Sequence, residues 1–335
     1  MGLKKYNQSE EVDSKTIEKN KMVVKHEVSE EKLVLTPSDE ELSNKINDAR
    51  KDYLLFAKKQ KKVNYLITGI VLAVMVVIFV LIIFLGSSET RVLYAGLGVM
   101  VVVLIITFFL SKFLKDKISG AAQIYIDTLF KNINSYLYAK GEYQDLQIDP
   151  RGSLQSSLFI DARFYKNIRA TRSRNIVTLT YRGKKLSIAD LAGNVLVKGK
   201  TMPMFLGRLY DYENFYSKSE KRILFQLKGG QLSRPLDDIE DLKLVEGNDT
   251  YAIYTNDEDY KMVLTPKVIS KLEKFKVDNI LIDVLVSIRP GKTVIGIDYA
   301  DDFMNIPVES DFKFSTVKRS QSDLELTLEI LDELA

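Results

Sequence analysis

Apolar residues are gathered in one part of the chain instead of being spread along it. Val63–Leu85, VNYLITGIVLAVMVVIFVLIIFL, is 23 residues without a charge. As a helix it measures ~34 Å, enough to cross a hydrocarbon core of ~30 Å. Val92–Leu110, VLYAGLGVMVVVLIITFFL, adds 19 residues, or ~28 Å. Only Gly86–Arg91, GSSETR, separates the two runs, which forces an antiparallel helical hairpin. Helices of soluble proteins keep a polar face. These have almost none, so the pattern predicts a transmembrane hairpin with spans 63–85 and 92–110.

Elsewhere the pattern changes period. Residues 1–35 are charged, mixed in sign and without an apolar period, as in a disordered tail. Over 36–62 an amphipathic helix is predicted. It starts at a capping box, Ser38 with Glu41, or at Thr36–Pro37. Leu42, Ile46, Ala49, Tyr53 and Phe56 follow at alternating spacings of four and three, and Val63 continues the series after Gln60. After the second run, Ile118, Ala122, Ile126, Leu129, Ile133 and Leu137 make a helical stripe over 111–141, stopped by Gly141. From 146 to 335, short runs rich in β-branched and aromatic residues predict strands: NIVTLTY (175–181), RILFQL (222–227), TYAIYT (250–255) and YKMVLT (260–265). The last two read as a hairpin turning at Asn256–Asp259. Thr265–Pro266 reads as a helix start. A closing helix is expected over Gln321–Leu334. The fold class is therefore a transmembrane helical hairpin plus a cytoplasmic α+β domain with a mostly antiparallel sheet.

Charge sets the expected orientation. Arg50, Lys51, Lys58, Lys59, Lys61 and Lys62 precede the first run; Lys112, Lys115 and Lys117 follow the second; the link holds Arg91 alone. The positive-inside rule then puts both termini in the cytoplasm of a multi-pass cell-membrane protein. The Lys58–Lys62 run would lie at the anionic inner leaflet. Neither span carries an ionisable residue, which disfavours transporters and proton relays; an oligomeric pore stays an alternative. Gly69 with Ala73, and Gly96 and Gly98, would let helices approach closely, either within the hairpin or between copies of a homo-oligomer.

Composition narrows the chemistry. There is no Cys, and one histidine, His26, lies in the charged tail. Cysteine nucleophiles and thiolate metal sites are excluded, and histidine-based catalysis is confined to that tail residue. No cofactor or metal is expected. Residues 151–200 hold eleven basic residues against two acids, and residues 232–335 twelve against twenty-two. In the basic block Arg163, Lys166, Arg169, Arg172 and Arg174 stand beside Phe164 and Tyr165. Such a block can face anionic lipid or a partner, or neutralise its own acidic half; without a nucleic-acid motif, that partner is not expected. The acids of NDED (256–259) and DYADD (298–302) suit a hairpin tip and a strand end better than catalysis. Gly291-Lys292-Thr293 imitates a P-loop tail, but Val286 stands where the loop needs Gly, and strand-like runs lie on both sides. Pro290–Gly291 reads instead as a type II turn.

The stretch Leu242–Phe275, with Val245-Glu246, Tyr254, Asp257 and Leu264-Thr265-Pro266, resembles the C-terminal signature of a bacterial two-span membrane family described as a domain of unknown function, number three-one-three-seven in its series. The chain departs from that pattern at the family's Phe, where Tyr251 or Ala252 stands. The resemblance implies a membrane hairpin and an α+β domain, with LemA-type envelope proteins as neighbours, and carries over no catalytic residue. Together these readings predict a non-enzymatic membrane-anchored binding or scaffold module. An enzyme acting on phosphate-bearing lipid or nucleotide is the alternative.

Overall fold

The computed structural model describes residues 36–85, 90–139, 141, 143–165, 168–197, 200–213, 220–227, 242–278, 281–299 and 312–333. The expected N-terminal tail, 1–35, lies outside them.

Two helices dominate the first part: α1, Pro37–Leu85, and α2, Thr90–Ala139. Each is ~73–75 Å long at the helical rise, about two and a half times the ~30 Å of a bilayer's hydrocarbon core. α1 starts at Pro37, matching the Thr36–Pro37 alternative, and runs through residue 62 without a break. α2 likewise passes residue 111 and Gly120 as one helix. A single seam joins them. On α1 it is Leu42, Ile46, Tyr53, Ala57, Asn64, Ile67, Val71, Met75, Ile78 and Ile82; on α2 it includes Gly96, Met100, Val103, Thr107, Ser111, Leu114, Ile118 and Tyr125, all buried or half-buried. Threes and fours separate most neighbours, as in antiparallel coiled-coil packing. Tyr53 stacks on Tyr125 with ring centroids 6.0 Å apart. The rest of the apolar surface is bare: within the most apolar stretch of each helix only 6% is buried.

The far ends of the hairpin are built into a nine-stranded sheet. The strands are β1 (Gln144–Asp149), β2 (Ile168–Tyr181), β3 (Lys184–Val197), β4 (Lys200–Glu213), β5 (Lys221–Leu227), β6 (Lys243–Gly247), β7 (Tyr251–Thr255), β8 (Leu281–Arg289) and β9 (Lys292–Tyr299). Their order is β1-β2-β3-β4-β9-β8-β5-β7-β6, and every neighbouring pair is antiparallel. Helices α3 (Ser156–Asp161), α4 (Pro266–Asp278) and α5 (Ser315–Glu333) complete the domain.

Alternation along the strands gives the sheet two buried faces. One carries Leu179, Leu186, Ile188, Phe225, Val286 and Ile295 and packs under α5 and the ends of α1 and α2, through Ile46, Phe130, Ile133, Leu324 and Ile330. The other carries Leu191, Phe205, Leu209, Leu285 and Val294 and is covered by Phe159, Phe164 and Tyr165 from α3 and its following turn. The α+β expectation is met, with the helical hairpin as part of its core.

Local expectations are met in part. Val268 N–H donates to Thr265 Oγ1 (3.4 Å), and Pro266 opens α4. The turn between β8 and β9 holds Gly291 at φ +78, with Arg289 opposite Lys292. At that φ an L side chain meets its own carbonyl, so Gly291→Ala is expected to lower stability by ~1 kcal/mol, read as a shift in thermal unfolding, with no effect on ATP retention. ATP binding lost without a stability change would contradict the hairpin. The expected hairpin at 256–259 is corrected. Residues 260–262 form a 3₁₀ turn, and β7 pairs instead with β6 and β5. Tyr260 causes this: buried, it donates its hydroxyl to Glu246 on β6 (2.7 Å), so the chain folds back over the sheet edge and does not extend. The closing helix begins at Ser315, six residues before the expected start.

Candidate functional site

The predicted basic residues fall on two surfaces. Lys58, Lys59, Lys61 and Lys62 are exposed on α1 just before the apolar run, and Lys112, Lys115 and Lys117 are exposed on α2 just after it. A shallow groove of about 420 Å³ lies among the first set, lined by Tyr53, Leu54, Ala57, Lys58, Lys61, Lys62 and Tyr65. In the block 151–200, Arg163 is exposed in the turn after α3, and its carbonyl accepts a bond from Arg222 Nη1 (3.1 Å). Arg172 and Arg174 are exposed on β2. Lys166 and the Arg169 side chain lie outside the described residues.

The small residues of the hairpin divide by role. A Cβ on Gly96 would come 2.5 Å from the Ile82 side chain, so Gly96 serves packing within the hairpin. Gly69 and Gly98 have nothing within 4 Å of such a Cβ, and Ala73 is exposed beside Gly69. Those three face away from the seam.

Two polar clusters inside the sheet domain were not read from the sequence. The first lies under α5. Arg208 on β4 places Nε and Nη2 3.3 Å from Asp190 Oδ1, and Nη1 3.4 Å from Asp323 Oδ2. Asn175 Nδ2 donates to the other Asp190 oxygen (2.6 Å). Tyr210 and Tyr299 border Asp323, and Arg319 stacks on Tyr299 at 4.3 Å. Burial pushes the Asp323 carboxyl up to about 6, against the pull of Arg208 and the two phenols. Those phenols favour the ionised carboxylate without aligning as regular hydrogen bonds to it. Burial alone would lower the Arg208 pKa, but Asp190, Tyr210 and Asp323 hold it well above its ordinary value. Perturbed acids are candidate catalysts, but a substrate must reach them. Arg208, Tyr210, Tyr299 and Asp323 are each no more than 3% exposed, which makes this a closed structural network.

The second cluster lies on the opposite face. Asp283 on β8 and Asp298 on β9 are register partners, and both are buried. Tyr165 Oη is 3.4 Å from one carboxylate and 3.3 Å from the other, and the Leu206 N–H donates to Asp298 (2.9 Å). DYADD does begin at the end of β9, which closes at Tyr299, but Asp298 is a buried core residue and not an ordinary strand-end acid; Asp301 and Asp302 lie outside the described residues. Asp298 does not meet Arg172 or Arg174, since β3 and β4 stand between β2 and β9. A cleft of these arginines opposite Asp298, which would favour the enzyme alternative, is not formed by these described residues. Among the described residues no group of His, Asp or Glu is placed to hold a metal ion. A signal for both clusters was present: Asp190 in SIADLAG, Arg208 in FLGRLY and Asp283 in LIDVLV each interrupt an apolar strand.

The residues behind the family resemblance have structural work. Glu246 accepts from Tyr251 (2.9 Å) and Tyr260 (2.7 Å), and these two bonds lower its pKa. Asp257 pairs with Lys221 at 2.8 Å. Leu264 is buried and Thr265 caps α4.

No family model matches the chain, and no curated protein matches it. One solved structure aligns, the crystal structure of the mycobacterial trehalose monomycolate transport factor A, TtfA. The alignment covers 62% of this chain and 96% of that one, with a TM-score of 0.33 and 10% identity. An overlap that loose does not define a shared fold.

Proposed function

We propose that this chain is a non-enzymatic, membrane-anchored binding or scaffold module of the bacterial cell envelope. The apolar runs of α1 and α2 cross the membrane, and the sheet domain stands on the cytoplasmic side with both termini. The observation that carries the reading is the bare apolar surface of the hairpin, joined without a break to helix ends that form part of the sheet domain's core. A soluble protein would expose that surface to water at ~25 cal/mol per Å², so it calls for lipid. The described ionisable clusters are closed, which favours binding over catalysis. Partners of the expected classes are membrane lipid, a LemA-type or other envelope protein, and a second copy meeting the outward face of Gly69, Ala73 and Gly98.

Since the chain lacks cysteine, single introduced cysteines test the topology. Ser88→Cys is expected to react with an impermeant maleimide on intact cells, and Glu258→Cys only after lysis. The reverse pattern would invert the proposed orientation, and crosslinking in native membranes would then identify the partner from the correct side.

A further inference from the structure

We propose that the end of the sheet bearing Arg172 and Arg174 docks on anionic lipid headgroups of the same bilayer that the hairpin crosses. This rests on the anchored reading above. The contacts set the direction of the strands. At one end of β1 the Tyr143 ring meets Tyr138, close to the C-terminus of α2; at the other, Arg151 Nε binds Asp127 Oδ2 at 2.8 Å. β1 therefore runs back along α2 toward the apolar run. β2 is antiparallel to β1, with Asp149 opposite Ile176 and the Asn175 N–H donating to the Pro150 carbonyl (3.2 Å). Beyond that point β2 continues without β1, from Asn175 to Ile168, on the side of the domain nearer the membrane.

Magnitudes decide whether it reaches. Asp127 lies ~25 Å along the helix from Leu110, where the apolar run ends. Arg172 lies ~10 Å past Asn175 along the strand. Its extended side chain spans roughly another 6 Å, and the headgroup layer rises ~5–8 Å above the hydrocarbon. The gap closes to within a few ångströms. Asp127 is paired with Arg151 and Asp190 with Arg208; Asp190 is also the register partner of Arg174. Arg172 and Arg174 are exposed, and a basic group near an anionic leaflet gains about 1 kcal/mol. Lys61, Lys62, Lys112 and Lys115 are exposed beside the ends of the apolar runs and would concentrate anionic lipid there.

The test uses the full chain in lipid nanodiscs with one bimane-labelled cysteine at a time. Arg172→Cys reports the proposed contact, and Lys185→Cys reports the opposite end of β3. In discs containing phosphatidylglycerol, a headgroup spin label is expected to quench the probe at 172 several-fold more than at 185. The difference should vanish in phosphatidylcholine alone, in high salt, or when Arg174→Glu is added. Equal quenching at both sites, none at 172, or quenching at 172 that ignores lipid charge would each overturn the docking. A chain that does not insert into the disc overturns the anchor as well; one that inserts and is not quenched overturns the docking alone.

Discussion

Arg208→Met is expected to cost roughly 3–5 kcal/mol, the usual effect of removing one partner from a buried ionic network. The substitution keeps most of the side-chain volume, so cavity formation is a small part of it. What remains is Asp190 with Asn175 as a neutral partner, and Asp323 with phenols and Arg319 around it. Thermal unfolding of the full chain in detergent, followed by tyrosine near-ultraviolet circular dichroism, should show a midpoint lower by roughly 10 °C. A second substitution, Asp323→Leu, should restore only part of the loss, because it removes one of the two acids left without their arginine and Asp190 stays. A stability unchanged by Arg208→Met would mean that the network is not what holds α5 on the sheet.

The same network predicts a pH dependence. Burial raises Asp323 to about 6 in the folded state, against ~3.9 for an unperturbed aspartate. Between those values the folded protein holds a proton that the unfolded chain has released. Its contribution is therefore fully present below about pH 4, falls as pH rises to about 6, and is flat above. The swing is on the order of 2–3 kcal/mol. Asp323→Asn should flatten this part of the stability profile. A slope between pH 4 and 6 that is the same in both proteins would assign it to other groups.

Gly207→Ala is the second large effect, at roughly 3 kcal/mol, the upper end for overpacking. A Cβ at Gly207 would lie 1.8 Å from the Ile297 carbonyl oxygen. That atom is backbone at the Gly207–Asp298 end of the β4–β9 ladder and cannot turn aside as a side chain would. The ladder has to open locally, which also disturbs Arg208 and Asp298 on either side of the clash. Faster amide exchange across β4 and β9, together with a lower unfolding midpoint, would show it. Gly69→Ala, where nothing stands within 4 Å, is the control and should leave the unfolding midpoint of the sheet domain unchanged.

The helices were legible because their signals are local. A long uncharged run, a three-and-four stripe and a Thr-Pro start are each contained within a few turns. Strands were legible as strands for the same reason. Their neighbours were not: YKMVLT has the composition of a strand, but one buried contact, Tyr260 to Glu246, makes it a turn. The candidate basic residues could be named from the sequence, but whether Gly96 or Gly69 served the hairpin depended on which face of α1 met α2.

By itself the sequence determined the two apolar helices, their antiparallel link, the α+β class of the domain after them and the exclusion of cysteine chemistry, because each depends on residues close together in the chain or on composition alone. Only the tertiary structure decided that the hairpin ends belong to the sheet's core. It also decided that Arg208 meets Asp190 and Asp323, that Asp283 faces Asp298, and which end of β2 lies nearer the apolar run. Those facts rest on strand order and register, and pairings between residues tens to hundreds of positions apart leave no periodic trace for a single sequence to show.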